Sequence, residues 1–157
     1  MKLNNKGFTL VEILAVVVIL SVLIAIMVPS VNQLINKNKE NNYEQLENSI
    51  IQSAKIYLSD NRYNINIERI CTSSTEEINV SSINGVEINN KLPIKLLVEG
   101  NDLSTTTDDA GNKIIINPKD NKQILDLTNS YVLIKYQCSK KDYSYTLETN
   151  SLKWKTR

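Results

Sequence analysis

One ionisable side chain lies where a charge is costly. Residues 8–28 form a run of 21 residues in which Glu12 is the only charged residue. A carboxylate surrounded by hydrocarbon costs about 2.5–3.5 kcal/mol on membrane-insertion scales, so an acid in such a run needs a cation beside it. The run follows Lys2 and Lys6 and begins directly after Gly7. The first chemistry that this sequence indicates is therefore charge pairing at low dielectric.

The element that must position Glu12 is an apolar helix. As an α-helix, residues 8–28 would extend roughly 31 Å, about the thickness of the hydrocarbon core of a bilayer. Two lysines precede the run, which predicts a cytoplasmic N-terminus and a chain that crosses outward. A secretory signal peptide is one alternative, although residues 27–30 make a poor cleavage site and the run is long. A plain single-span anchor is the other, and Glu12 argues against it.

The hexapeptide G-F-T-L-V-E at residues 7–12 resembles the class III signal of type IV prepilins and pseudopilins, and the resemblance extends to about Pro29. It implies that a prepilin peptidase cuts between Gly7 and Phe8 and that the same enzyme N-methylates Phe8. It also implies that Glu12 pairs with the N-terminal amine of Phe8 in a neighbouring subunit. Such a pair would supply the cation that the buried acid needs and would set the axial stagger of the subunits.

This resemblance implies a structural protein with no cofactor and no enzymatic activity of its own. A type IV pilus subunit would wait in the inner (cytoplasmic) membrane as a single-pass protein, N-terminus inside, and then join an extracellular filament on the cell surface. Its partners would be copies of itself or other pilins, the prepilin peptidase, the assembly platform and ATPase, and membrane lipid before assembly. Two alternatives stay open: a minor pilin or pseudopilin of a competence or type II-like secretion system, and a single-span surface protein that binds a ligand.

The helix is expected to continue beyond Pro29, which would kink or locally melt it, because proline lacks an N–H and clashes with the carbonyl four residues back. Apolar residues then recur at intervals of three and four, as in one helical stripe. This predicts a leader at residues 1–7, an apolar helix at 8–29, an amphipathic continuation at 30–58 and a globular domain at 59–157. The stripe consists of Val31, Leu34, Ile35, Tyr43, Leu46, Ile50, Ile51, Ala54, Tyr57 and Leu58.

The remaining pattern predicts an α+β, pilin-like fold, in which the long helix packs on a small antiparallel sheet of three or four strands. A short helix is predicted over residues 92–100, closed by Gly100, and Asn84-Gly85 predicts a turn. With Leu103 close behind it, the short helix loosely resembles the connector of many Gram-positive pilins. Residues 104–112 are predicted to form a polar loop, and strands are predicted at 113–117, 123–127, 131–138 and 143–149.

Two cysteines, Cys71 and Cys138, would both lie outside the membrane. An even count in an exported protein predicts a disulfide. It would close a loop of about 68 residues and stabilise the fold by about 4 kcal/mol in the chain-entropy model. Two free thiols are the alternative, because the sequence does not give the distance between them.

Other chemistry finds little support in the sequence. The chain has no histidine, which excludes histidine-based triads and histidine metal ligands. Its formal net charge of +1 gives no support for strong nucleic-acid binding. Residues 108–112 could offer oxygen atoms to calcium, but their spacing does not match an EF-hand and an ordinary turn is the alternative. The tyrosines near the C-terminus could form a binding face or simply pack, and the basic residues at 153–157 are expected to be a solvated tail.

Overall fold

The computed structural model describes residues 9–68, 71–72 and 76–157. A long helix, α1 (Leu10–Asp60), continues past Pro29, as the sequence predicts. The chain divides into two compact units, residues 1–39 and 40–157, and α1 contributes residues to both. The second unit, called the head domain below, contains the folded core.

The head domain follows the end of α1 with short elements. A 3-10 turn at Arg62–Asn64 leads into the first strand, and a short helix, α2 (Ile94–Glu99), lies in the middle of the domain. The strands are β1 (Ile65–Ile67), β2 (Glu77–Ile83), β3 (Val86–Glu87), β4 (Lys91–Pro93), β5 (Thr106–Thr107), β6 (Lys113–Ile114), β7 (Gln123–Leu125), β8 (Tyr131–Gln137), β9 (Asp142–Thr146) and β10 (Trp154–Thr156).

Strand β8 lies at the centre of the main sheet, where all pairings are antiparallel. β9 pairs along one edge of β8, with Tyr143 opposite Tyr136. β2 and β4 share the other edge, with Ile78 opposite Tyr136 and Leu92 opposite Val132. β1 and β3 extend the sheet from β2, which gives six strands among the described residues instead of the predicted three or four. β1, β3 and β4 are too short to show a strand periodicity in the sequence.

The part of α1 in the head domain packs on this sheet through its apolar stripe. Ile50, Ala54 and Leu58 are buried at a spacing of four residues, which places them on one helical face. The α+β fold class is therefore confirmed, with a long helix packed on an antiparallel sheet. The residues of the sheet and of α2 that form the same core cluster include Val80, Leu92, Ile94, Leu97, Val132 and Ile134.

The stripe joins the core over a shorter length than predicted. Tyr43 and Leu46 are its first residues to pack partly against the core. The prediction is wrong for Val31, Leu34 and Ile35, which lie in the first unit and are exposed. Exposed apolar surface of this kind is typical of a face that contacts lipid or another protein.

Helix α2 begins two residues later than predicted. Leu92 pairs with Val132 in the sheet, and Pro93 precedes the helix in an extended conformation with ψ of 134°. Because proline cannot donate to a helical hydrogen bond and fixes its own φ, it suits a helix start better than a helix interior. The helix therefore begins at Ile94.

The C-terminal cap of α2 uses an asparagine where the sequence predicts a glycine. Gly100 keeps a helical φ of −71°, whereas Asn101 adopts a left-handed φ of 61°. The N–H groups of Asn101 and Asp102 donate to the carbonyls of Val98 and Leu97, at 3.3 Å and 3.0 Å, in the Schellman pattern. A Cβ at residue 100 would lie 2.7 Å from Oδ2 of Asp102, so a larger residue there would require the Asp102 side chain to move.

The C-terminal part of the chain pairs more extensively than predicted. Residues 104–112 contain β5, which pairs with β6. β7 contacts the preceding segment through a bridge between Ile124 and Ile116, but its ladder forms with β10, where Leu125 lies opposite Trp154. The basic end is therefore a strand and not a solvated tail. The Trp154 ring centroid lies 6.1 Å from that of Tyr43 on α1.

The two strands with the clearest sequence pattern, β8 and β9, are confirmed with small changes in their ends. β8 matches the predicted 131–138 to within one residue, whereas β9 ends at Thr146 instead of residue 149. The chain turns after β9 because the N–H of Glu148 donates to Oγ of Ser151 at 2.8 Å.

Stability at alkaline pH should depend on Tyr145. Burial raises the pKa of Tyr145 to about 12, with smaller contributions from Asp142 and Tyr143. In the unfolded chain a tyrosine ionises near pH 10, so the folded state loses stability as the pH rises from about 10 through 12. We expect Tyr145→Phe to reduce this loss, measured as the melting temperature by circular dichroism between pH 9 and pH 12. An equal loss in both proteins would show that Tyr145 does not contribute.

Candidate functional site

Helix α1 begins with a reciprocal cap made by Thr9 and Glu12. The backbone N–H and the Oγ1 hydroxyl of Thr9 each donate to Oε2 of Glu12 at 2.8 Å. In return, the N–H of Glu12 donates to Oγ1 of Thr9 at 3.3 Å. This capping box satisfies donors that a helix N-terminus otherwise leaves unpaired. Glu12 therefore orders the start of α1 within its own subunit.

The cap uses only one oxygen of the Glu12 carboxylate. Among the residues that the structure describes, Oε1 of Glu12 has no hydrogen-bond donor and no ion-pair partner. A cation supplied by another molecule can bind Oε1 while Oε2 keeps its bonds to Thr9. The geometry thus allows the capping role and the predicted charge pair to exist together.

Thr9 is the functional residue that the charge pattern did not reveal. Its position three residues before Glu12 is the T-x-x-E spacing of a capping box, and that spacing is visible in the sequence. The apolar run indicates that Glu12 is an acid in need of a partner. A search for helix caps would have found Thr9 as its local partner.

The part of α1 in the first unit has an exposed, apolar surface. Every residue from 9 to 42 is exposed, and Leu10, for example, is 83% exposed. One 18-residue window of α1 has a mean hydropathy of 3.1, and none of it is buried. By length and composition α1 can cross a membrane, a test that a signal sequence also passes. A surface this apolar requires lipid or protein around it.

The hydroxyl groups on this part of α1 are satisfied within the helix. Ser21 Oγ donates to the carbonyl of Val17 at 2.7 Å, and Ser30 Oγ donates to that of Ile26 at 3.4 Å. Such bonds let serine lie in lipid without an unpaired donor. Pro29 lies beside Ser30 and supplies no N–H to the carbonyl four residues earlier. The helix is continuous here, and the kink at Pro29 stays a prediction.

Comparison with known families gives a match at the same end of the chain. Residues 2–28 match the prokaryotic N-terminal methylation motif. The chain carries a type IV prepilin signal. Together, the prepilin signal and the long apolar helix support a type IV pilin-like protein, as the sequence resemblance implies. No curated protein and no solved structure matches the chain.

The prepilin signal implies processing by a prepilin peptidase and assembly with other pilins. Its cleavage and methylation residues, Gly7 and Phe8, lie outside the described residues, so their roles stay predictions. The pairing of Glu12 with the Phe8 amine of a neighbour also stays a prediction. So does the resemblance to Gram-positive pilins, which the motif at residues 2–28 does not address.

Cys71 and Cys138 form a disulfide, with their Cα atoms 5.7 Å apart. Cys138 directly follows β8, and its N–H donates to the carbonyl of Glu76 at 3.0 Å. The bond joins the segment between β1 and β2 to the end of β8, whose neighbour on that edge is β2. It therefore covalently ties two parts of the head domain that are distant in sequence.

In the loop at residues 108–112, considered above for calcium, the Asp108 carboxylate accepts hydrogen bonds from within the loop itself. Asp108 accepts hydrogen bonds from the N–H groups of Ala110 and Asn112, at 3.0 Å and 2.8 Å, and from the Asn112 side chain at 3.1 Å. These donors, the Asn112 side chain foremost, lower the pKa of Asp108. Within residues 9–68, 71–72 and 76–157, no group of three His, Cys, Asp or Glu residues is placed to hold a metal. The loop has the bonds of an Asx turn.

Proposed function

We propose that this chain is a structural subunit of a type IV pilus or a related filament, polymerised through α1 after cleavage by a prepilin peptidase. The observation that carries the proposal is an acid held at the start of a helix whose apolar first part, up to residue 28, is exposed, within a prepilin signal. The membrane would cover this helix before assembly, and the helices of other subunits would cover it afterwards. The subunit would therefore exchange one apolar environment for another.

The Glu12 carboxylate would favour the filament over the membrane. In the membrane the ionised acid costs about 2.5–3.5 kcal/mol unless a partner is present. In a filament, the N-terminal amine of Phe8 from a neighbour would supply that partner, and Oε1 of Glu12 is the oxygen that could accept it. The pair would be satisfied at one axial stagger, so it would also set the register between subunits.

The proposed subunit is not an enzyme, and its chemistry would be done by the peptidase, the ATPase and the platform protein. The presence of Glu12 favours a position inside the fibre over a tip subunit that lacks the acid. A minor pilin or a pseudopilin of a competence or secretion system is the runner-up within the same class. A surface-anchored binding protein is the rival from another class, and it would keep its leader.

We expect the surface-exposed protein to begin at N-methylated Phe8. The test is mass spectrometry of the N-terminal peptide from protein sheared off the source cells. A chain that retains residues 1–7 and stays with the membrane would favour the anchored binding protein. A chain that begins near Pro29 would make the apolar run a discarded signal peptide.

A matched variant sharpens this test. Gly7→Val adds a branched side chain at the expected cleavage site and leaves the apolar run and Glu12 intact. We expect it to remain unprocessed, to carry residues 1–7 and to be absent from the sheared fraction. Normal cleavage of Gly7→Val would contradict the assignment of the cleavage site to Gly7 and Phe8.

A further inference from the structure

The head domain has an open groove that is lined by apolar, aromatic and charged residues. It lies between the C-terminal part of α1 and strand β9, with a volume of about 660 Å³. Leu58 of α1 contributes an apolar wall, and the tyrosines of β9, Tyr143 and Tyr145, contribute another. This volume lies within the range of about 300–1,000 Å³ that is typical of small-molecule sites.

Three cations and one acid line this groove. Lys55, Arg62 and Lys140 carry positive charges, and Asp142 carries the negative one. Among the described residues, none of the three cations lies within 4.0 Å of a carboxylate, since the ion pairs there involve other lysines. One oxygen of Asp142 accepts the N–H of Tyr143 at 2.7 Å. The groove therefore has two more positive than negative charges in its lining, and among the described residues none of its cations is in an ion pair.

Two of the three cations lie beside aromatic rings. Nζ of Lys55 lies 5.8 Å from the ring centroid of Tyr145. The guanidinium of Arg62 lies 4.6 Å from the ring centroid of Tyr63 and donates to its hydroxyl at 2.7 Å. Cation–π contacts of this kind hold a long side chain in place and still leave hydrogen-bond donors free for a ligand.

The tyrosines themselves are fixed by the sheet. Tyr143 and Tyr145 alternate with outward residues on β9, so both rings lie on one face. Tyr136 of β8 packs against Tyr143 edge to face, with centroids 5.2 Å apart, and both β9 tyrosines pack against the core. The two β9 tyrosines, held by these contacts, form the tyrosine platform of the groove.

We propose that this groove binds an acidic saccharide, a sugar unit that carries a carboxylate or phosphate group. The tyrosine platform matches the apolar face of a sugar ring, and the unpaired cations match its acidic group. Ser59 and Gln137 also line the groove and offer hydrogen bonds to sugar hydroxyls. A polynucleotide fits less well. The net charge of the chain is only +1, which is too small to neutralise the many phosphates of a long backbone.

The test is fluorescence polarisation with the full-length chain in detergent micelles. The probes are a labelled hyaluronan tetrasaccharide, which carries carboxylates, and a labelled pentamannose 6-phosphate, which carries a phosphate. We expect at least one of them to bind, and the preferred probe identifies the acidic group. Replacing Lys55, Arg62 and Lys140 together by Gln should weaken that binding by about tenfold for each cation, or more. All three side chains are exposed, so the fold should persist.

A charge-matched control separates this groove from general attraction of anions. Lys37, Lys39 and Lys122 are exposed cations that do not line the groove, and their joint replacement by Gln should leave affinity within about twofold. Tyr145→Leu should weaken saccharide binding while the cations remain. Four results would overturn the proposal: no binding of either acidic probe, equal binding of neutral maltotetraose, full affinity in the groove variant, or tighter binding of a thymidine tetranucleotide.

Discussion

Glu12→Gln should be processed normally and yet enter filaments at least tenfold less than the wild type. Gln keeps a side-chain oxygen that can accept from Thr9, so the cap on α1 should persist. It lacks the negative charge, so the amine of an incoming neighbour would be desolvated without a partner. Losing one member of such a buried pair costs about 2–5 kcal/mol. The measurement is the ratio of subunit in the sheared fraction to subunit in the membrane.

Two further variants separate the charge from the cap. Thr9→Val removes the hydroxyl that bonds Oε2 and keeps the Glu12 carboxylate. Glu12→Ala removes both the charge and the cap. The charge-pair hypothesis predicts that Thr9→Val assembles nearly normally and that Glu12→Gln and Glu12→Ala fail alike. If Glu12→Gln assembles normally while the other two variants fail, the role of Glu12 is to cap the helix and the charge pair is wrong.

The chain also shows which features of a fold are visible in its sequence. The long helix could be predicted because its apolar run and its stripe repeat over many turns, and the buried positions Ile50, Ala54 and Leu58 agree with that period. The strands β8 and β9 could be predicted because each has at least five residues rich in tyrosine and branched side chains. β3, β4 and β5 have only two or three residues each and show no clear period, so the sequence did not predict them.

Tertiary contacts determine the features of the fold that the sequence does not predict. Leu92 appeared to belong to a helix by its neighbours, but its backbone pairs with Val132, a residue far along the chain. Asn101 takes the left-handed position after α2, although glycine is the more common choice there. Trp154 lies in a strand because β7 offers an edge to it. Each of these depends on a tertiary partner that no local window contains.

The groove between α1 and β9 is the clearest case of this limit. Lys55, Arg62, Lys140 and Tyr145 lie up to 90 positions apart in the sequence, and no short motif connects them. Only the packing of α1 on the sheet brings them to one surface. The prepilin signal, by contrast, is contained in consecutive residues, and its function could be inferred before the fold was known.

The largest loss of stability should follow removal of the disulfide. Cys71→Ser with Cys138→Ser opens a loop whose ends are 67 residues apart in sequence. In the chain-entropy model, a loop of this length contributes about 4 kcal/mol, because the closed loop restricts the unfolded chain. We expect the melting temperature of the double variant to fall by about 10 °C or more. The measurement is thermal unfolding of the full-length chain, followed by near-ultraviolet circular dichroism.

Reductant provides the matched control for that result, because it opens the same bond without changing the sequence. It should lower the melting temperature of the wild type to that of the double variant and leave the double variant unchanged. A wild type that reacts with two equivalents of an alkylating reagent before reduction would show free thiols and contradict the pairing of Cys71 with Cys138. The cysteines join the end of β8 to the segment before β2, two parts of the head domain that are distant in sequence and pair in the sheet. Sequence-distant pairings of that kind gain little from local contacts, and a covalent link supplies part of the closure that they require.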